Sequence, residues 1–158
     1  MKNTFKRSGA ALISLVLLLV LAVSAGAASS QNVGVKFWKE RSDKESMANS
    51  GIDSNRTATL TRQANGTYTL TLPVMQVSKL GVTGYLSGLT IGDVTYDGTL
   101  TGDFNKATAV LTIKNLPASV LTGSDSNKAL AVTCSIKMDT ILLGDISTSA
   151  KMSIWVER

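Results

Sequence analysis

The sequence predicts an all-β domain, an antiparallel sandwich or barrel of about eight short strands, behind an N-terminal targeting segment. Three observations predict it. Apolar and polar residues alternate with a period of two along most of the chain after residue 28, and no long helical pattern occurs there. Thr, Val, Ile and Tyr recur in the alternating runs, and this composition suits strands that are buried on one face. Turn residues separate the runs at short, regular intervals, as in antiparallel folds.

The first 27 residues have the layout of a secretory signal peptide. The basic stretch "MKNTFKR" precedes an unbroken apolar run, and the small residues Ala25 and Ala27 supply an A-x-A cleavage site. The apolar run is short for a membrane span, which needs about 20 residues. We therefore expect cleavage after Ala27 and export of residues 28–158, with membrane attachment only where the segment stays uncleaved.

Removal of the signal peptide changes the electrostatic interpretation. The whole chain carries a net charge of +5, and subtracting the three basic residues of the signal peptide leaves +2 for residues 28–158. No basic block remains, so nucleic-acid binding, which needs a concentrated basic surface, is not expected. Residues 28–158 have the size of one domain, and the single cysteine, Cys134, alternates with Val132 and Ile136 as a small core residue would.

The alternation also locates the individual strands. "VGVKFW" (33–38) places Phe37 on one face of the first strand and Trp38 on the other. Asn65-Gly66 lies between two alternating runs and predicts a type I′ hairpin. Pro73 then ends the second of these strands or places it at an edge of the sheet. Further strands are predicted for "GVTGYLSGLTI", "VTYDGTLTG", "ATAVLTIK", "ALAVTCSIKM" and "AKMSIWVE", and the longest predicted loops are 121–129 and 139–149.

One stretch, "WKERSDKESMANSG", interrupts the alternation and is rich in charge. Ser42 followed three residues later by Glu45 has the form of a capping box, which predicts a single helical turn over about 43–49. Gly51 supplies the exit. Met47, a long apolar side chain in a polar segment, then lies on a short turn at the rim of the strands.

The residue types present argue against catalysis. The chain has no His, which removes the commonest general base and the commonest ligand of zinc, copper and haem iron. With one Cys, thiolate metal clusters are excluded as well. The acidic residues are scattered over turns, and no glycine-rich phosphate loop follows a strand. We therefore expect a binding protein and not an enzyme.

The order of these elements resembles the NEAT (near-iron-transporter) domain, an immunoglobulin-like sandwich that binds haem on Gram-positive surfaces. The resemblance rests on "SMAN" on a helical turn followed by "RTATLTRQANGTYTLTLPV", and it covers residues 33–157. It implies an immunoglobulin-like β-sandwich of about eight strands with one short helical turn. It also implies a secreted or cell-surface protein that binds haem and relays it to or from a haem-donor or haem-acceptor surface protein.

The resemblance further implies the residues of the site, because haem in that family lies between the helical turn and the last hairpin. Ser46 matches the serine that bonds a haem propionate. The iron-ligating Tyr of the Y-x-x-x-Y motif has no counterpart, since residues 139–152 contain no Tyr. Some relatives resemble streptococcal carriers that hold the iron between two Met thioethers. By analogy, Met47 is the first iron ligand here, with Met138, or Met152 as the alternate, on the opposite haem face.

Other residues complete the predicted slot. The residues Leu142, Leu143 and Ile146 are apolar for a predicted loop and would line it. The cations Lys39, Arg41 and Lys44 would face the propionates.

The residues themselves leave other interpretations open. Met152 alternates with Ile154 and Met138 extends the face of Cys134, so both suit a core role. Met47 would fill an irregular gap equally well, and Met75 beside Pro73 suits packing. The competing function is a haem-free interaction module that binds a protein or polysaccharide partner on the same surface.

Overall fold

The structure is a computed structural model and describes residues 28–79, 81–140 and 144–158. The predicted signal peptide and two predicted slot residues, Leu142 and Leu143, lie outside this described part. Its strands are β1 (Ser29–Lys39), β2 (Ala58–Arg62), β3 (Tyr68–Pro73), β4 (Val77–Lys79), β5 (Val82–Ile91), β6 (Val94–Thr101), β7 (Val110–Leu116), β8 (Leu130–Met138) and β9 (Ile146–Val156). Its three 3₁₀ helices are η1 (Met47–Gly51), η2 (Ala118–Val120) and η3 (Ser126–Lys128).

The strands form one antiparallel sheet that closes on itself. Their order is β4-β5-β6-β7-β3-β2-β1-β9-β8, and β5 pairs in addition with β8. Eight strands thus make a closed ring, and β4 adds a short outer strand that the sequence analysis did not predict. The antiparallel all-β prediction is confirmed, with a single closed sheet in place of two separate layers. No helix in the described ranges is long and apolar enough to span a membrane.

Period-two alternation builds the core of this sheet. Leu60, Leu70 and Ile113 stand opposite one another on β2, β3 and β7, and each is fully buried. Burying such a side chain contributes about 1.5 to 3 kcal/mol. Cys134 is also fully buried, and this burial raises the pKa of its thiol to about 12. The prediction that Cys134 is a small core residue is confirmed.

The neighbouring positions point outward and form a row of hydroxyl side chains. In register across four strands, the row consists of Thr59, Thr71, Thr112 and Thr99. None of these side chains carries a charge. Across these four strands the inner face is therefore apolar, and the matching row on the outer face is polar and uncharged.

The predicted hairpin between β2 and β3 is present, but the predicted type of its turn is wrong. Gly66 N–H donates to the carbonyl of Gln63 at 3.0 Å, and Gln63 N–H donates to the carbonyl of Thr67 at 2.8 Å. Gly66 has φ +83°, whereas Asn65 is not among the residues with positive φ. A type I′ turn needs positive φ at both central residues, so this loop is a type I turn followed by a left-handed glycine. The Asn65 carboxamide accepts from Thr67 N–H instead, at 3.0 Å.

The closing hairpin is longer than the sequence predicted. β9 begins at Ile146, so residues 146–149, predicted as loop, continue the ladder opposite β8. Further along β9, Met152 stands opposite Phe37 of β1, and both are fully buried. Met152 is thus a core side chain in this structure.

Candidate ligand-binding site at the η1 end

The helical turn carrying Met47 begins four residues later than predicted. Ser46, not Ser42, caps η1: its Oγ accepts a hydrogen bond from Ala48 N–H at 3.3 Å. The predicted start fails because pairing to β1 continues past the turn, with Ser46 N–H donating to the Phe37 carbonyl at 2.9 Å. The helix starts only where this pairing ends. Ser42 instead accepts a 3.4 Å hydrogen bond from Lys44 N–H within the turn.

Side-chain hydrogen bonds and an ion pair tie η1 to β1. The Asn49 carboxamide accepts from Phe37 N–H at 3.2 Å and donates to Glu45 Oε2 at 3.1 Å. Glu45 in turn lies 2.6 Å from the Lys36 ammonium, which stacks over the Trp38 ring at 4.5 Å. The hydrogen bond and the charge of Lys36 lower the pKa of the Glu45 carboxyl. Met47 and Ser46 are therefore carried on a turn whose orientation is fixed by the strand before it.

A second set of contacts ties the exit of η1 to the end of β3. The Gly51 carbonyl accepts from Met75 N–H at 3.0 Å, and Asp53 N–H donates to the Pro73 carbonyl at 3.1 Å. The Asp53 carboxylate also pairs with Arg56 Nε at 2.8 Å. The Arg56 guanidinium donates to the Ala109 carbonyl next to β7. η1 is thus clamped across the end of the sheet from both sides.

η1 lies on the same face of the sheet as Met138. Val77 of β4, Gly84 of β5 and Met138 of β8 are directly opposite one another, so their side-chain directions share one face. A side chain at Gly51 of η1 would meet Val77 at 3.9 Å. Two strand steps, about 10 Å, separate Val77 from Met138. Met138 leans over Gly84, where a Cβ atom would stand 2.8 Å from its sulfur.

The β8–β9 hairpin adds partly exposed apolar side chains to this face. Ile136 alternates with Met138 on β8, and it stands opposite Ile146, which is 46% exposed. Thr148 stands opposite the core residue Cys134, so it shares the inward face of β9. Ile146 and Thr148 therefore occupy the accessible inward positions of the final strand. Neither can supply an oxygen ligand of the tyrosinate type.

The predicted site residues that the structure describes differ in position and exposure. Met47 is 56% exposed on the first position of η1, and Ser46, the N-cap residue before it, is 9% exposed. Lys39 stands opposite Ala150 and so points toward the same inward face. Met138 is half-buried on the hairpin, while Met152 is fully buried in the core. The remaining described residues, Arg41 and Lys44, are exposed in the turn before η1.

A groove of about 480 Å³ runs along η1 and was not predicted. Met47 and Met75 both line it, and Met75 is 46% exposed where sequence reasoning favoured packing. Its polar lining consists of Lys39, Glu45, Ser46, Asn49, Ser50 and Ser54. No sequence pattern pairs Met75 with Met47, because the pairing depends on the hydrogen bond between Gly51 and Met75.

Acidic, Cys and His side chains do not assemble a metal centre in the ranges that the structure covers. No group of three or more of them is close enough to hold an ion there. The metal donors that line the groove are thioethers, hydroxyls and an amide, together with the Glu45 carboxylate.

Comparison with known proteins is informative only at the level of structure. No protein-family model matches the sequence, and no curated protein matches it. Among solved structures, one similar chain is described as the NEAT5 domain of IsdX2, a B. anthracis hemophore in complex with heme. It aligns with a TM-score of 0.53 and 12% identity over 83% of this chain and 98% of that chain. The chain has the fold of a NEAT domain.

A mutant of the same NEAT5 domain, also described in complex with heme, gives the same TM-score of 0.53 with 11% identity. The expected likeness to the NEAT fold is therefore confirmed in structure. At this level of identity the likeness extends to the fold alone.

Proposed function

We propose that this NEAT-fold domain binds haem at the η1 end and relays it without transforming it, as a secreted or surface-associated protein of a Gram-positive cell. The observation that carries the proposal is the exposed thioether of Met47 on η1, on a sheet face that also holds Met138. The haem complexes of the similar NEAT5 domains support it. The signal-peptide pattern of residues 1–27 supports export.

Met47 and Met138 are the proposed iron ligands, one on each haem face. Met138 fits this role better than Met152, because a fully buried side chain packed against Phe37 has no access to a ligand without repacking of the core. The partly exposed Ile136 and Ile146 then form the apolar wall of the slot. When bound, haem supplies the iron, and two thioethers favour its ferrous state and a high reduction potential.

Polar groups on η1 and β1 are proposed to hold the propionates. The Ser46 hydroxyl already accepts a hydrogen bond from Ala48 N–H, and its own proton can be donated to a carboxylate. Lys39 at the end of β1 supplies positive charge on the inward side, with Arg41 and Lys44 in the adjoining turn. These contacts orient the ligand, whereas the apolar wall excludes water.

A haemin titration of residues 28–158 tests this proposal. We expect a saturable Soret shift and, after dithionite reduction, sharp low-spin bands. Met47→Leu and Met138→Leu should each abolish the low-spin bands and weaken binding by at least about tenfold. Met75→Leu is the matched control, and its spectrum should equal that of the parent. Absence of any shift beyond free haemin contradicts the proposal.

A haem-free interaction module is the second candidate. The observation that favours it is the composition of β9, whose accessible inward positions are Ile146 and Thr148 and not Tyr. The uncharged threonine row on the opposite side of the sheet would then be a recognition surface for a protein or polysaccharide. In that case the protein stays colourless, and Met47→Leu leaves partner binding unchanged.

A further inference from the structure

The groove along η1 contains the two most exposed methionines of the described chain. Met47 is 56% exposed and Met75 is 46% exposed, whereas Met152 is fully buried and Met138 is half-buried. Single exposed apolar side chains are ordinary on a protein surface. Two thioethers that line one groove could bind one metal ion together, because a thioether sulfur is a metal ligand as well as an apolar group.

The backbone fixes these two methionines relative to each other. Met75 N–H donates to the carbonyl of Gly51 at 3.0 Å, and Ile52 forms a bridge with Val74. Met47 begins and Gly51 ends the same five-residue helix, so about 8 Å along the helix axis separates Met47 from Gly51. Both side chains therefore extend from a clamped backbone into a shared space of about 480 Å³.

The donor set of the groove selects a particular class of cation. Thioethers are neutral and soft, and they prefer Cu(I) over the hard cations that carboxylates bind. The chain has no His, and its one thiol, Cys134, is fully buried away from the groove. Glu45 and Lys39 both line the groove and carry opposite charges, and Glu45 is also paired with Lys36. Because the lining carries no net negative charge, a monovalent cation fits it better than a divalent one.

We propose that the η1 groove is a site for a soft monovalent cation of the Cu(I) class, held by the thioethers of Met47 and Met75. Because Met47 also belongs to the proposed haem site, the two ligands compete for one sulfur atom. The cation site itself does not depend on haem binding. The cation site requires Met75, which the haem proposal does not use.

Silver(I) is the first probe, because it is soft, monovalent and redox-inert under the conditions of a calorimetric titration. A Cys134→Ala background removes the thiol as a competing soft donor. We expect one equivalent of Ag(I) to bind. Met75→Leu and Met47→Leu should each weaken that binding by at least about tenfold. Met138→Leu should leave it unchanged. We expect the same order of affinities among the variants for Cu(I), measured anaerobically as its transfer from a chromophoric chelator to the protein.

The three leucine variants separate this site from the haem site. Met75→Leu loses the cation alone, Met138→Leu loses haem alone and Met47→Leu loses both. If neither the parent protein nor any variant takes up haem, only the haem proposal is overturned and the silver result is unaffected. Ag(I) binding that Met75→Leu leaves unaltered, or that Met138→Leu removes, overturns the cation site.

Discussion

Two regions of the molecule are held together in different ways. One is the ladder formed by β2, β3 and β7, and the other is the η1 end. In the ladder, buried and partly exposed side chains alternate, with one register shift between β3 and β7, and Leu60, Leu70 and Ile113 are buried in register. At the η1 end, alternation stops and the backbone is held by side chains, such as Asn49 bound to Phe37 N–H and Arg56 bound to the Ala109 carbonyl. The ladder therefore supplies stability, while the η1 end exposes chemically useful groups on a clamped frame.

Truncation in the ladder should have the largest effect on the free energy of unfolding. Leu60→Ala leaves a cavity in a fully buried row, so we expect a loss of about 2 to 5 kcal/mol in denaturant unfolding. Thr61→Ser, one position along the same strand and on its outer face, is the matched control and should cost less than about 1 kcal/mol. Equal losses for the two variants would contradict the division between an apolar and a polar face.

The junction between the two regions should show an intermediate effect. Gly84→Ala places a Cβ atom 2.8 Å from the Met138 sulfur and 2.9 Å from the Lys137 carbonyl oxygen. Such overpacking should cost about 1 to 3 kcal/mol. It should also displace the Met138 thioether and weaken the proposed haem ligation.

A double-mutant cycle identifies the cause of that loss. In a Met138→Ala background the sulfur is gone, so Gly84→Ala should cost less than in the parent, although the contact with the Lys137 carbonyl remains. Additive losses would show that the Met138 side chain does not lie over Gly84.

The sequence was informative where structure follows local alternation and less so where distant segments meet. Eight of the nine strands in the described part, the buried Cys134 and the location of Met47 on a short turn were predicted correctly, whereas β4 and the first residues of β9 were not. The helix cap was misplaced, because the local pattern of Ser42 and Glu45 competes with a long-range hydrogen bond from Ser46 to Phe37. Met75 was assigned to packing for the same reason. Its place in the groove depends on Gly51, 24 positions earlier in the chain.

The smallest expected effect distinguishes the two possible caps of the helical turn. Ser46→Ala removes the acceptor of Ala48 N–H and should cost about 1 kcal/mol in unfolding free energy. Ser42→Ala is the matched control, because its hydroxyl takes part only in an exposed 3.4 Å hydrogen bond within the preceding turn. Its cost should stay within about 0.5 kcal/mol. If haem binds as proposed, Ser46→Ala should also speed haem release, whereas Ser42→Ala should not. A larger loss for Ser42→Ala than for Ser46→Ala would mean that the helix begins at the position the local pattern predicts, and that Met47 lies in its interior.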